Sequence, residues 1–73
     1  MGARFNASYF KSERKRKNIS QSSLADMADT SERYIRDLEK GKKTNPSANL
    51  LFRLSMAMEI PMEKLMTRME GES

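Results

Sequence analysis

Glu32, Arg33, Arg36 and Asp37 lie close together in the stretch TSERYIRDLEKGKK, residues 30–43. On a helix turning about 100° per residue these four share one side, while Tyr34, Ile35, Leu38 and Glu39 share the other. Two guanidinium groups and two carboxylates on a short, stiff rod can do two kinds of chemistry. They can pair with one another, Glu32 with Arg36 and Arg33 with Asp37, which stabilises a bare helix by only about 0.2–0.5 kcal/mol per i,i+4 pair. They can also read base edges. Arginine donates two hydrogen bonds to guanine O6 and N7 and an acid accepts from cytosine N4, a good bidentate pair giving roughly 1–3 kcal/mol of discrimination. The two uses are compatible, because an acid can also hold an arginine in place.

Other chemistries are poorly supplied. The 73 residues include no cysteine and no histidine, which removes disulfides, thiol chemistry and the usual zinc ligands. Without them, and without a convergent pair of acids, nothing carries general acid–base or nucleophilic catalysis, so the expectation is a non-enzyme with no cofactor and no metal. The aromatic platform on which single-stranded nucleic acid stacks is missing too. No apolar run approaches the ~18–20 residues of a membrane span, and the N-terminus lacks a signal-peptide hydrophobic region, so a cytoplasmic protein without membrane contact is expected. Cysteine-free composition fits a reducing compartment.

The hydrophobic fraction is 37%, low for a folded chain, yet the apolar residues are periodic and the charges locally mixed, which reads as one small folded domain. The net charge of +4 is unevenly placed. Residues 1–20 hold Arg4, Lys11, Arg14, Lys15, Arg16 and Lys17 against Glu13 alone, residues 21–43 balance, and the remainder is slightly acidic. A basic N-terminal third suits a polyanion, most simply nucleic acid, or merely a solvated helix face.

The elements that must position these groups are helical. A first helix is expected over Ala7–Lys17, broken by Asn18, which tolerates the left-handed conformation. Ile19 enters the core and Ser20 caps a second helix, Gln21–Ala28, burying Leu24 and Ala28 with Ala25 at a close approach. The three-residue turn Asp29-Thr30-Ser31 leads to a third helix, Glu32–Lys40, ended by Gly41. After the basic loop KKTNP, Ser47 caps a fourth helix, Ala48–Met58, carrying Leu51, Leu54 and Met58. Beyond Ile60-Pro61 a fifth, Met62–Met69, places Met62, Leu65, Met66 and Met69 on its apolar side, and the last residues form a frayed tail. No period-two alternation suggests a sheet. The expected fold class is therefore all-α, one domain over residues 1–73 with a core of about 7–69 and flexible ends.

Two short helices joined by a three-residue turn pack at a steep angle, the arrangement of a helix-turn-helix. The segment ISQSSLADMADTSERYIRDLEKGKKTNPS resembles the λ/Cro repressor-like (XRE-type) helix-turn-helix family. The marks are Ser20-Gln21 opening the second helix, Leu24-Ala25 within it, and YIRDLEKGK followed by NPS; the likeness spans about residues 7–66. It implies a compact five-helix bundle and a transcriptional regulator that binds double-stranded DNA in sequence-specific fashion. It departs from the family pattern at Asn18, Asp29 and Glu59, where glycine is usual. Glu59 in a left-handed conformation would cost on the order of 1 kcal/mol, so the turn after the fourth helix is expected to differ from the common geometry. Ala28 stands where a larger aliphatic is common, so the C-terminal methionines are expected to fill the gap.

The resemblance makes the positions of Glu32, Arg33 and Asp37 base-facing with Arg36 beside them, and brings Gln21 near a base. Lys17, Ser31, Lys40, Lys42, Lys43 and Asn45 are candidates for the phosphate backbone, where each neutralised phosphate strengthens binding in a salt-dependent way. Lys15 and Arg16 are left to solvent. Glu39, at the edge of the inward face, needs a partner if buried; the family often pairs a glutamate there with an arginine of the first helix, here Arg14, in a structural salt bridge. A competing reading is a protein-interaction module, such as an antitoxin-like partner using the same bundle. Since one small domain reads few base pairs, a homodimer through Met62, Leu65, Met66 and Met69 is expected, as a repressor-type regulator of bacterial or phage kind would use.

Overall fold

The computed structural model describes residues 3–68. Among them are four α-helices, α1 (Ala7–Arg16), α2 (Gln21–Met27), α3 (Glu32–Lys40) and α4 (Ala48–Met58), a short 3₁₀ helix (Met62–Leu65) and two strands, β1 (Ala3–Phe5) and β2 (Met66–Arg68). Each α-helix starts on a polar cap whose side-chain oxygen accepts from an amide three residues on: Asn6 from Tyr9, Ser20 from Ser23, Ser31 from Tyr34 and Ser47 from Leu50. These bonds satisfy donors that the helix itself leaves without partners.

The four helices also end alike. A left-handed residue follows each one: Asn18 (φ 59°), Asp29 (φ 57°), Gly41 (φ 82°) and Glu59 (φ 57°). The next N–H then reaches back to the carbonyl five residues earlier, Ile19 to Arg14 (3.1 Å), Thr30 to Ala25 (2.9 Å), Lys42 to Asp37 (2.9 Å) and Ile60 to Ser55 (3.1 Å). This closure repays orphan carbonyls and reverses the chain sharply. The turn at Glu59 therefore does not depart from the others, contrary to expectation: the closing bond and the packing of Ile60 against the core outweigh a strain of roughly 1–2 kcal/mol.

α2 packs on α3 and α4, and α1 packs on α3, around Phe10, Leu24, Ile35, Leu38, Leu54, Met58 and Leu65, all nearly inaccessible to solvent. Ala28 is fully buried. Of the methionines, Met58 is buried and Met66 packs partly against the core, but Met27, Met56 and Met62 are exposed. Phe5, unremarked in the sequence, also joins the core: it is buried, with its ring edge-on to Phe10 at 4.9 Å.

Two expectations fail at the C-terminal end. The fold is mostly helical, but the fifth helix is absent among the described residues and a small antiparallel sheet is present. Ala3 pairs with Arg68, Arg4 with Thr67 and Phe5 with Met66. The chain makes one 3₁₀ turn, buries Leu65, and then runs extended, while Asn6 N donates to Leu65 O (2.7 Å) and Phe5 N to Thr44 O (2.9 Å). An eight-residue helix is marginal by itself. Pairing with β1 gives the same backbone groups cross-strand partners and carries Phe5 into the core. Met69 lies outside the described residues.

Candidate nucleic-acid interface

The inward side of α3 is fixed by Ile35 and Leu38, both fully buried, with Tyr34 packed partly against the core. Its opposite side is left to solvent. Glu32 and Arg33 are exposed and Arg36 and Asp37 half-buried, so the four polar groups project from one rigid element. Arg36 Nη2 lies 3.5 Å from Glu32. Among the described residues Arg33 has no carboxylate within salt-bridge reach, and the residue is exposed to solvent.

Behind this face lies a buried polar knot. Arg14 Nε donates to Glu39 Oε2 and its Nη2 to Glu39 Oε1 (3.1 Å), while its Nη1 donates to the Ile19 carbonyl (2.7 Å). Gln21 Nε2 donates to Glu39 Oε1 at 3.0 Å. The side chains of Arg14 and Glu39 are 10% and 3% exposed. One carboxylate thus ties the last turn of α3 to α1 and to the first turn of α2. The amide of Gln21 points inward to Glu39 in this structure, which leaves its oxygen and its second N–H uncommitted among the described residues.

Around the rim, Ser31 is exposed with its oxygen accepting from Tyr34 N. Lys40, Lys42, Lys43 and Asn45 are exposed on the end of α3 and the loop beyond it. The Asp37 carbonyl accepts from both Lys42 N (2.9 Å) and Lys43 N (3.3 Å), which shapes the start of that loop. Lys17 caps α1 and is half-buried. On the exposed side of α1, Arg16 hydrogen-bonds Glu13, and this bond holds the Glu13 carboxyl below its ordinary value.

One positioning residue escaped the sequence reading. Arg53 Nε donates to the Ala28 carbonyl at 2.7 Å, so a side chain of α4 closes the end of α2. The signal was present in ANLLFRLSMAM, where Arg53 is the lone charge.

Residues 10–65 match the family model described as helix-turn-helix, and the chain belongs to that family, of the XRE type. Solved structures agree. The master regulator for biofilm formation SinR in complex with DNA superimposes with a TM-score of 0.76 at 30% identity, covering 81% of this chain and 94% of that one; SinR is from Bacillus subtilis. The restriction-modification controller protein C.AhdI from Aeromonas hydrophila gives 0.75 at 25% identity, covering 81% and 88%. The P22 c2 repressor in complex with a synthetic operator gives 0.76 at 25% identity, again covering 81% and 88%. No curated protein matches by sequence.

Proposed function

We propose that this chain is a sequence-specific regulator of transcription that binds double-stranded DNA with α3 in the major groove, working in the cytoplasm of a bacterium or its phage. The observation that carries the reading is the two-sidedness of α3: a fully buried apolar edge fixes the helix while Glu32, Arg33, Arg36 and Asp37 stand on its outer side. The DNA-bound relatives support it.

Arg33, exposed and without a carboxylate partner among the described residues, is the leading base contact. Arg36 and Glu32 act as a pair that can be exchanged for base contacts, and Asp37 lies beside them. Gln21 reaches DNA through its free oxygen and second N–H or by leaving Glu39. Lys17, Ser31, Lys40, Lys42, Lys43 and Asn45 hold phosphates, which carry no sequence information but set the salt dependence. The role is that of a binding protein, and no helix among the described residues is long and apolar enough to cross a membrane.

Selection of bound oligonucleotides from a random duplex pool tests this directly. The expected result is enrichment of one short motif whose symmetry reports the assembly. Failure to enrich any sequence at low salt overturns the reading in favour of an interaction module.

A further inference from the structure

β1 is three residues long, yet it stands between two other parts of the chain. Alternate amides of a strand point to opposite edges. On one edge β1 pairs with β2, and Asn6 N, just beyond it, donates to Leu65 O at 2.7 Å. On the other edge Phe5 N donates to Thr44 O at 2.9 Å. Thr44 lies in the loop after α3, between Lys43 and Asn45, both proposed above as phosphate contacts. The Phe5 ring is buried against Phe10, so this donor is fixed from behind. Both strands lie outside residues 10–65, the segment that matches the helix-turn-helix family.

The loop has little else to hold it. Residues 41–45 are all exposed, and Pro46 is the first buried residue after Leu38. Ahead of Pro46 the described hydrogen bonds tie its backbone at two places: to α3, through Lys42 N and Lys43 N on the Asp37 carbonyl, and to β1, through the Thr44 carbonyl on Phe5 N.

We propose that β1 clamps this loop in the shape that meets phosphate, with Phe5 as the positioning residue and β2 as the lock that keeps β1 extended. The clamp rests on the DNA-binding reading for its use. A loop ordered beforehand gives up less backbone freedom on binding, so Lys42, Lys43 and Asn45 reach phosphates at a smaller entropic cost. Phosphates carry no sequence, so the clamp raises affinity for every duplex alike and leaves the discrimination made by α3 unchanged. A strand of three residues does not stay extended alone, which is why β2 is needed. Leu65 and Met66, expected on a dimer seam, serve this lock instead: Leu65 is fully buried, and Met66 pairs with Phe5 and packs against the core. Of that seam only Met62, 39% exposed, is left to solvent among the described residues.

Two variants of the full chain open the clamp from its two sides. A backbone ester at Phe5, made by chemical synthesis, puts oxygen in place of the N–H and keeps the ring. Thr67→Pro removes a strand N–H from exposed Thr67, which pairs with Arg4, and Thr67→Val is the control that keeps it. Circular dichroism confirms the helices; Thr67→Gly replaces a proline variant that loses them. Amide hydrogen exchange without DNA comes first. Thr67→Pro speeds exchange at Phe5 about tenfold or more and both opened variants speed it at Lys43, whereas Thr67→Val does neither. On DNA, each opened variant weakens preferred and scrambled duplexes alike, about fivefold or more. That loss shrinks by about twofold or more on a Lys43→Ala background and persists in full on Arg33→Ala. Unchanged exchange at Phe5 in Thr67→Pro overturns the lock, and unchanged exchange at Lys43 or unchanged affinity overturns the clamp. Equal losses on the two backgrounds make β1 a prop for the whole fold and overturn the positioning role. A chain that binds no duplex sinks the functional reading, while the exchange arm, free of DNA, still decides whether β2 holds β1 and β1 the loop.

Discussion

α3 carries a glutamate–arginine pair on each of its two sides. Glu39 meets Arg14 at 3% and 10% exposure, with Gln21 and the Ile19 carbonyl completing the set of hydrogen bonds. Glu32 meets Arg36 at 3.5 Å with the two side chains 49% and 42% exposed. The chemistry is identical and the surroundings are not. Out of water, each charge of the inner pair depends on its partner, and loss of either leaves the other stranded. In water the outer pair gains little, because solvent screens it and two long side chains lose freedom in holding one geometry. What this teaches is a division of labour: the inner pair fixes how α3 stands, and the outer pair is cheap to break, as the proposed exchange with a ligand requires.

The sharpest way to break this comparison is to remove one inner partner. Glu39→Ala or Arg14→Ala should each lower stability by about 3–5 kcal/mol in urea unfolding, and the double replacement should cost less than the sum. Additive effects below about 1 kcal/mol would make the inner pair equivalent to the outer one. Next in size is the reading face. Arg33→Ala should leave unfolding midpoints unchanged but weaken specific binding by ~1–3 kcal/mol, with non-specific affinity nearly intact. Lys43→Ala should weaken all duplexes alike and lower the salt slope by about one. Equal proportional losses in both mutants would erase the distinction between reading and holding.

A third glutamate sharpens the contrast from another direction. Glu59 counts through its backbone, held at φ 57°, so Glu59→Gly should raise stability by about 1 kcal/mol in thermal or urea unfolding. No gain would mean that side-chain contacts of Glu59 offset its strain. The smallest effect belongs to the outer pair: Glu32→Gln should change stability by no more than about 0.5 kcal/mol. A larger loss would make Glu32 part of the scaffold.

Much of this was legible before any coordinates. The caps at Ser20 and Ser47, the cap at Thr30 or Ser31 ahead of α3, and the stops at Asn18, Asp29 and Gly41 are local signals, and they mark the end of α1, both ends of α2 and α3 and the start of α4 to within a residue or two. The C-terminal segment was not legible. Met62, Leu65 and Met66 fit a helix, a 3₁₀ turn or a strand equally well over so few residues, and its partner β1 lies some sixty positions away. Likewise, nothing local says that Gln21 turns its amide to Glu39 or that Arg53 closes α2.

The sequence by itself determined where helices begin and end, and which side of α3 is apolar, because capping, left-handed stops and a 3.6-residue period act within a few residues of one another. It also determined that the chain carries its net positive charge near its N-terminus. Only the tertiary structure decided which charges are buried, which methionines are exposed, and that residues 66–68 run as a strand. Those outcomes depend on which distant groups arrive beside them: burial and strand pairing are properties of the packed whole, and no stretch of the chain carries them alone.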